Sequence, residues 1–439
     1  MPDPTPRGEA ERPVPSWLAQ PVVMAIWCVV AAFGTYACMY GFRKPFTAGG
    51  YVDPATGMSY KVWLVTAQVL GYTLSKFIGI RVIAEMRPER RIWVLLGLIG
   101  AAQLALVAFG LTPQPYYALC LFLNGLPLGM VFGLVLGFLE GRRLTEAFIA
   151  GLCASFILAD GVTKSVGAEL LRRGVPEPWM PAAAGLVFLL PLLGFVWMLQ
   201  HVPAPSAADV AARAERSPMQ RAERRAFLER HGMGLALLGL AYLLITVLRS
   251  LRADFAPEIW SGLGVAAAPE LFTRSELVVT LGVVVATGLG VLVRDNRRAF
   301  FIALGTSLGG LLLMAFTLAA RETGRCGPFA FMVLMGLGMY IPYVSVHTTV
   351  FERLIAMTRD RGNIGYLMYL VDAVGYLGYV AVMIAKNFSV IEGDQLRFFV
   401  MASWAGALLS IFAVAGAWWF FARHEAVRLP AGAPAVAGP

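Results

Sequence analysis

Charge is scarce in this chain. Asp, Glu, Lys and Arg make up 14% of its 439 residues, against 58% hydrophobic residues and a mean hydropathy of +0.68. A soluble domain carries about 25% charged residues, so that class is excluded. Cysteine (5) and histidine (4) are also few. Cys28, Cys38, Cys120, Cys153 and Cys326 lie in or beside apolar runs without metal-ligand spacing. No disulfide framework and no metal site is expected, and the thiols read as small packing residues. There is no Gly-x-x-x-x-Gly-Lys-[Ser/Thr] loop, no His-Glu-x-x-His and no nucleophile–base pair. Enzyme chemistry is therefore not expected, and no cofactor is implied. Residues 1–19 are polar and proline-rich and do not form a cleavable signal pattern.

What the chain has is apolar length. A helical span needs roughly 20 apolar residues. Twelve such stretches lie near 20–43, 61–84, 91–112, 116–140, 147–171, 179–201, 232–254, 275–293, 299–320, 326–351, 362–386 and 397–422. Glycine (46) and proline (26) are abundant, as membrane helices allow where neighbours satisfy the freed backbone. Gly305-Thr-Ser-Leu-Gly309 and Gly336-Leu-Gly338 read as small-residue packing contacts. The charged, Pro/Ala-rich segment 202–231 is the one long hydrophilic interruption, and it divides the spans six and six. The expected fold is an all-α membrane protein with 12 transmembrane helices in two six-helix pseudo-repeats. Its parts are a tail at 1–19, a bundle at 20–201, a central loop at 202–231, a bundle at 232–422 and a tail at 423–439.

Net charge is +9, and its distribution sets an orientation. Arg81, Arg87, Arg90 and Arg91, the arginines from Arg213 to Arg230, and Arg294, Arg297 and Arg298 fall in even-numbered loops. The positive-inside rule then places both termini, the central loop and both tails in the cytoplasm. The basic loops are short and scattered, a topology signal and no nucleic-acid footprint. A multi-pass protein of a bacterial cytoplasmic membrane, monomeric in the bilayer, is expected.

The two halves repeat. Phe138-Leu-Glu140 ends the fourth stretch and Asp160 lies inside the fifth; Phe351-Glu352 ends the tenth and Asp372 lies inside the eleventh. Both Glu-to-Asp separations are 20 residues, offset between halves by 212. Arg43 and Arg249 sit 206 apart, close to that offset. Parallel six-helix halves around a central loop describe the major facilitator architecture, which holds its substrate near the bilayer midplane between the halves.

Within that architecture the motifs resemble the organophosphate:phosphate antiporter family. That family carries Tyr-x-x-Arg-Lys-x-Phe at its first helix, and here the run is Tyr40-Gly-Phe-Arg43-Lys44-Pro-Phe46. Ser75-Lys76-Phe77 matches the core of its second-helix motif, and Arg249, Asp254 and Pro257 match the spacing of its seventh. The resemblance implies that Arg43 and Arg249 grip a phosphate from opposite halves, with Tyr40 beside them and Lys76 adding charge at the cavity wall. It also implies that Lys44 and Asp254 close the external side. Where the family has a substrate-contacting histidine on its fifth helix, this chain has Ala159-Asp160-Gly-Val-Thr-Lys164.

The residues also speak for themselves. An ionised side chain in hydrocarbon is costly and marks a functional site by default. Arg43 lies at the hydropathic end of its span and reads either as an anion anchor or as a snorkelling interfacial arginine. Arg249 lies about 25 Å into its span at 1.5 Å per residue, and Arg252, a turn further on, reads as interfacial. Lys76 falls near the midplane and needs a cavity or a partner. Asp160 and Lys164 are one helical turn apart and pair with each other, contact substrate or, at Asp160, carry a proton. Asp372 has no basic residue at that spacing and sits in a tyrosine stripe (Tyr366, Tyr369, Tyr376, Tyr379). It reads as a proton carrier or as a carboxylate paired with another helix. Glu140, Arg142, Glu352 and Arg353, at cytoplasmic helix ends, read as an internal gate or as solvated loop charges. His347 titrates near neutrality or packs.

The expected function is secondary transport of a small organic anion, an organophosphate or phosphate, by alternating access. The partners are that small-molecule anion and the lipid bilayer, with no nucleic acid. Proton-coupled symport of another small polar solute, and a transport-inactive sensor on the same fold, are the alternatives.

Overall fold

The computed structural model describes residues 20–52, 59–84, 86–139, 145–203, 221–291, 293, 295–358, 364–388 and 394–423. Among them the chain is helical almost throughout. The first half comprises α1 (Pro21–Tyr40), α2 (Lys61–Ala84), α3 (Arg91–Leu111), α4 (Tyr117–Leu128), α5 (Val131–Leu139), α6 (Thr145–Arg172) and α7 (Met180–Gln200). The second comprises α8 (Arg221–Asp254), α9 (Ala256–Gly262), α10 (Pro269–Val291), α11 (Asn296–Glu322), α12 (Pro328–Ser345), α13 (Phe351–Thr358), α14 (Ile364–Phe388) and α15 (Gln395–Arg423).

Local chemistry sets the boundaries. Proline stands in the first turn of α1, α7 and α12, where its missing N–H is no loss. Asp295 caps α11 by accepting from the Arg298 amide at 2.7 Å, and Asp394 does the same for Arg397 at 2.9 Å. The far end of α6 closes on Gly174 at φ 85°, where Val175 N donates to Leu170 O at 3.0 Å. Only glycine adopts that left-handed backbone without strain. Pro127 interrupts one long helical path, which continues as α5. Pro342 precedes a π-helical turn, Val346–Val350, that joins α12 to α13.

Among the described residues, ten helical segments are long and apolar enough to cross a membrane. Twelve spans were expected, and ten are counted among the described residues. The other two long helices, α2 and α14, bring Lys76 and Asp372 to the centre of the molecule. The helix α8 also begins at Arg221, eleven residues before the expected start of the second bundle, so the end of the expected central loop is helical.

Within the first half, α2 and α4 pack backbone to backbone. A Cβ on Gly71 would lie 2.2 Å from Phe122 O, and one on Gly125 would lie 2.1 Å from Gln68 O. In the second half the close contact between α11 and α12 forms at Gly310 and Gly338, where a Cβ on Gly338 would approach Gly310 O to 2.9 Å. The expected contact at Gly309 is one residue off, since that position faces open space. The halves meet along α2 with α14 and along α6 with α10. These two pairings are the ones that the expected six-helix repeat would relate to each other. They bring Lys76 against Asp372 and Ser165 against Thr273.

Candidate functional site

Arg43 stands on a turn just beyond α1, and polar side chains of neighbouring helices hold that turn. Gln68 Nε2 donates to Arg43 O at 2.9 Å and to Asn124 Oδ1 at 2.8 Å. Asn124 Nδ2 in turn donates to Phe42 O at 3.0 Å and to Ala102 O at 3.1 Å. Carbonyls freed at the end of α1 are thus satisfied by two buried amides. Arg43 itself is 2% exposed, which rules out the snorkelling reading. Its guanidinium lies over the Tyr72 ring at 3.7 Å from the centroid, with the Tyr40 ring at 5.7 Å.

Arg249, on α8, is also buried and approaches from the other half. Its Nη2 donates to Tyr376 OH at 2.8 Å and to Tyr343 OH at 3.1 Å, and its guanidinium lies 4.1 Å over the Tyr343 ring.

Lys44, Lys61, Lys76, Lys164 and Arg252 are also buried, and each meets a carboxylate. Lys44 pairs with Asp254 across the halves, and Tyr379 OH donates to Asp254 Oδ2 at 2.9 Å. Lys61 pairs across the halves with Glu258 at 2.6 Å and donates to Thr47 O at 2.6 Å. Lys76 on α2 pairs with Asp372 on α14, and Lys164 pairs with Asp160 on its own helix. Arg252 meets Glu276 of α10 at 2.7 Å and is 1% exposed, so its expected interfacial position is corrected. The glutamate that draws it inward lies on a different helix, beyond the reach of local spacing.

Arg43 and Arg249 have no carboxylate within 4.0 Å among the described residues. Buried N–H groups at Arg43 Nε and Nη1 and at Arg249 Nε have no acceptor. A desolvated cation–π contact returns about 2 kcal/mol, while burying an ion costs several kcal/mol even after relaxation. Tyrosine faces alone therefore leave both arginines under-compensated.

The two arginines line one small cavity of ≈ 10 Å³, together with Tyr40, Lys44, Asp160 and Asp254. Asp160 Oδ1 also has no partner. A second cavity of ≈ 20 Å³ shares Arg249 and Tyr376 with the first and adds Lys76, Asp372 and His347. Asp372 is thus paired with another helix rather than isolated. Tyr242 OH donates to Asp372 Oδ1 at 2.8 Å, Tyr343 OH reaches the same oxygen at 3.2 Å, and His347 Nε2 bonds to Tyr242 OH.

Of the expected internal gate, Glu140 and Arg142 lie outside the described residues. Glu352 and Arg353 stand at the start of α13, and Arg353 Nη1 donates to Asn296 Oδ1 at 2.8 Å within its own half. Gln68, Asn124, Glu276 and the Lys61–Glu258 bridge escaped the sequence reading. The signal for the two amides was present: each is an uncharged polar group deep in an apolar run.

Comparisons with known proteins agree on the architecture. A family model described as "Family of unknown function (DUF5690)" matches residues 45–424. Among curated proteins, none matches. The structure is similar to that of the major facilitator superfamily proton:xylose symporter XylE, with TM-score 0.62, 14% identity, and 90% of this chain and 95% of that chain covered. It is also similar to the nucleoside transporter NupG, with TM-score 0.57, 14% identity, and 91% and 100% covered. The human organic anion transporter MFSD10 (TETRAN) gives TM-score 0.54, 14% identity, and 90% and 100% covered. At such identities the likeness establishes the fold alone, that of the major facilitators.

Proposed function

We propose that this chain, a member of the DUF5690 family, is a secondary transporter of a small organic anion working by alternating access. One observation carries this reading: two buried arginines on opposite halves share a cavity, and neither has a carboxylate partner. An oxyanion bridging both would supply the missing acceptors through charge-assisted hydrogen bonds. Guanidinium forks suit phosphate and carboxylate, and the tyrosine walls suit an organic remainder. A phosphate monoester or phosphate, with antiport as the mode, is the specific form that the helix-one and helix-seven motifs favour.

The rest of the machinery follows from charge placement. A bridging anion pulls the halves together at Arg43 and Arg249, which lowers the barrier to rocking. Lys44–Asp254 and Lys61–Glu258, both inter-half pairs near the start of α2 and the end of α8, act as the external closure. Both termini lie in the cytoplasm on the positive-inside distribution.

Uptake into proteoliposomes tests the reading. Labelled phosphate, phosphate monoesters and small carboxylates are offered to the wild type and to Arg43→Ala and Arg249→Ala. Saturable uptake of at least one anion, lost in both variants, is expected. Uptake confined to neutral solutes, or anion uptake indifferent to both substitutions, overturns it.

A further inference from the structure

Asp372 sits at the end of a hydrogen-bonded chain that the anion site does not itself need. Tyr242 has one hydroxyl proton, and its oxygen donates it to Asp372 Oδ1 over 2.8 Å. The contact between Tyr242 OH and His347 Nε2 then requires the ring to donate through Nε2–H. His347 Nδ1 is left as a buried lone pair with no partner. His347 is in the π-helical turn Val346–Val350, a ladder irregularity that aims its ring between the halves, and π turns recur at functional sites. The chain thus runs His347 Nε2–H to Tyr242 O–H to Asp372 Oδ1, while Asp372 Oδ2 holds Lys76 from the opposite half.

We infer that His347, Tyr242 and Asp372 form a proton-uptake relay that releases Lys76 to the transported anion. The inference rests on the anion-site reading above and adds its coupling ion. The transfers balance. A proton adds to His347 Nδ1, the Nε2–H bond breaks toward Tyr242 O, and the Tyr242 hydroxyl proton moves to Asp372 Oδ1. Histidine and tyrosine end neutral, and Asp372 becomes a carboxylic acid. Lys76 then loses its counter-charge and turns to the cavity that it lines together with Arg249.

Electrostatics makes the two events mutually dependent. The charged and titratable groups facing this array are Lys76 from α2, Arg249 and Tyr242 from α8, Tyr343 from α12, Tyr376 from α14 and Cys153 from α6. With Asp372 ionised, Lys76, Arg249 and Asp372 sum to one positive charge; with Asp372 protonated they sum to two. An anion offsets that second charge and so favours the proton, and by linkage the proton favours the anion. Arg249 joins the two sites directly, since Tyr343 OH bonds to both Arg249 Nη2 and Asp372 Oδ1. Binding of each anion is therefore linked to uptake of a proton.

Sulfate is the suitable probe because it stays a dianion across the tested pH range. Its affinity for the detergent-purified chain is measured between pH 8 and pH 5.5, with proton uptake read from buffers of different ionisation enthalpy. Wild type should bind more tightly as pH falls, by up to about tenfold per unit for one linked proton, and should take up protons on binding. Asp372→Asn, which imitates the acid, should bind sulfate at pH 8 as tightly as wild type does at pH 5.5, with no pH dependence. Tyr242→Phe should slow dye-reported proton uptake after sulfate mixing, which keeps the relay testable even if Asp372→Asn does not fold. A pH-independent affinity without proton uptake in wild type overturns the inference, as does Tyr242→Phe uptake at the wild-type rate. Absence of sulfate binding at every pH, or binding unaltered in Arg43→Ala, is failure of the anion-site reading, and the inference falls with it.

Discussion

Lys76 and Asp372 form a buried ion pair between the two halves, joining the two long helices that fall outside the apolar-length count. Neither charge lies within reach of its partner along the sequence, so each helix carries its polar residue only because the other compensates it. Breaking one side of such a pair leaves an uncompensated buried charge, at about 3–5 kcal/mol.

Lys76→Met alone should therefore lower the melting temperature sharply, and Lys76→Met with Asp372→Leu should recover most of the loss. Thermal unfolding of the three proteins in detergent checks this. Equal destabilisation by the single and double variants would show that the pair is not energetically coupled.

The Lys44–Asp254 pair should behave as a closure rather than as a binding contact. Lys44→Ala and Asp254→Ala each strand a charge, while the double variant strands none. A double-mutant cycle on unfolding should give a coupling of about 0.5–3 kcal/mol. Anion affinity in the double variant should stay near wild type while transport slows. Loss of binding in the double variant would put these residues among the anion ligands instead.

Arg43 should depend on the amides beneath it. Asn124→Leu removes the donors to Phe42 O and Ala102 O and the acceptor for Gln68. Each stranded buried group costs about 1–3 kcal/mol, and the turn that bears Arg43 loses its support. Weaker anion binding is expected although Asn124 is not among the cavity-lining residues. Isothermal titration decides, and unaltered affinity in a folded variant would show that the turn holds without the amide.

Backbone packing in the first half leaves no room at Gly125. Gly125→Ala places a Cβ on Gln68 O and should reduce the folded yield, with about 1–3 kcal/mol lost to overpacking. Gly97→Ala, where nothing lies within 4 Å, should be neutral. Size-exclusion profiles of the two variants provide the comparison.

Much of this was legible from the chain alone. Apolar run length located the helices, and the matched offsets of Arg43 with Arg249 and of Asp160 with Asp372 showed the repeat. Arg43, Arg249, Lys76, Asp160 and Asp372 were all marked by charge in an apolar context, and they do converge on two adjoining cavities. What escaped was pairing between helices. Glu276 lies 24 residues from Arg252, and Glu258 lies 197 from Lys61. Such partners are set by how helices cross, and helical periodicity carries no information on that. The boundary of α8 escaped for another reason: its first turns are charged, so hydropathy begins the helix late.

The central claim is that Arg43 and Arg249 are left unpaired in order to take an anion together. The most direct measurement is isothermal titration of wild type, Arg43→Ala and Arg249→Ala with inorganic phosphate, phosphate monoesters and small carboxylates. The account expects at least one anion to bind wild type and to lose ten-fold or more in affinity in each single variant. It also expects the double variant to lose little beyond the worse single one, because one ligand bridges both. Anion affinity unchanged by either substitution would contradict it.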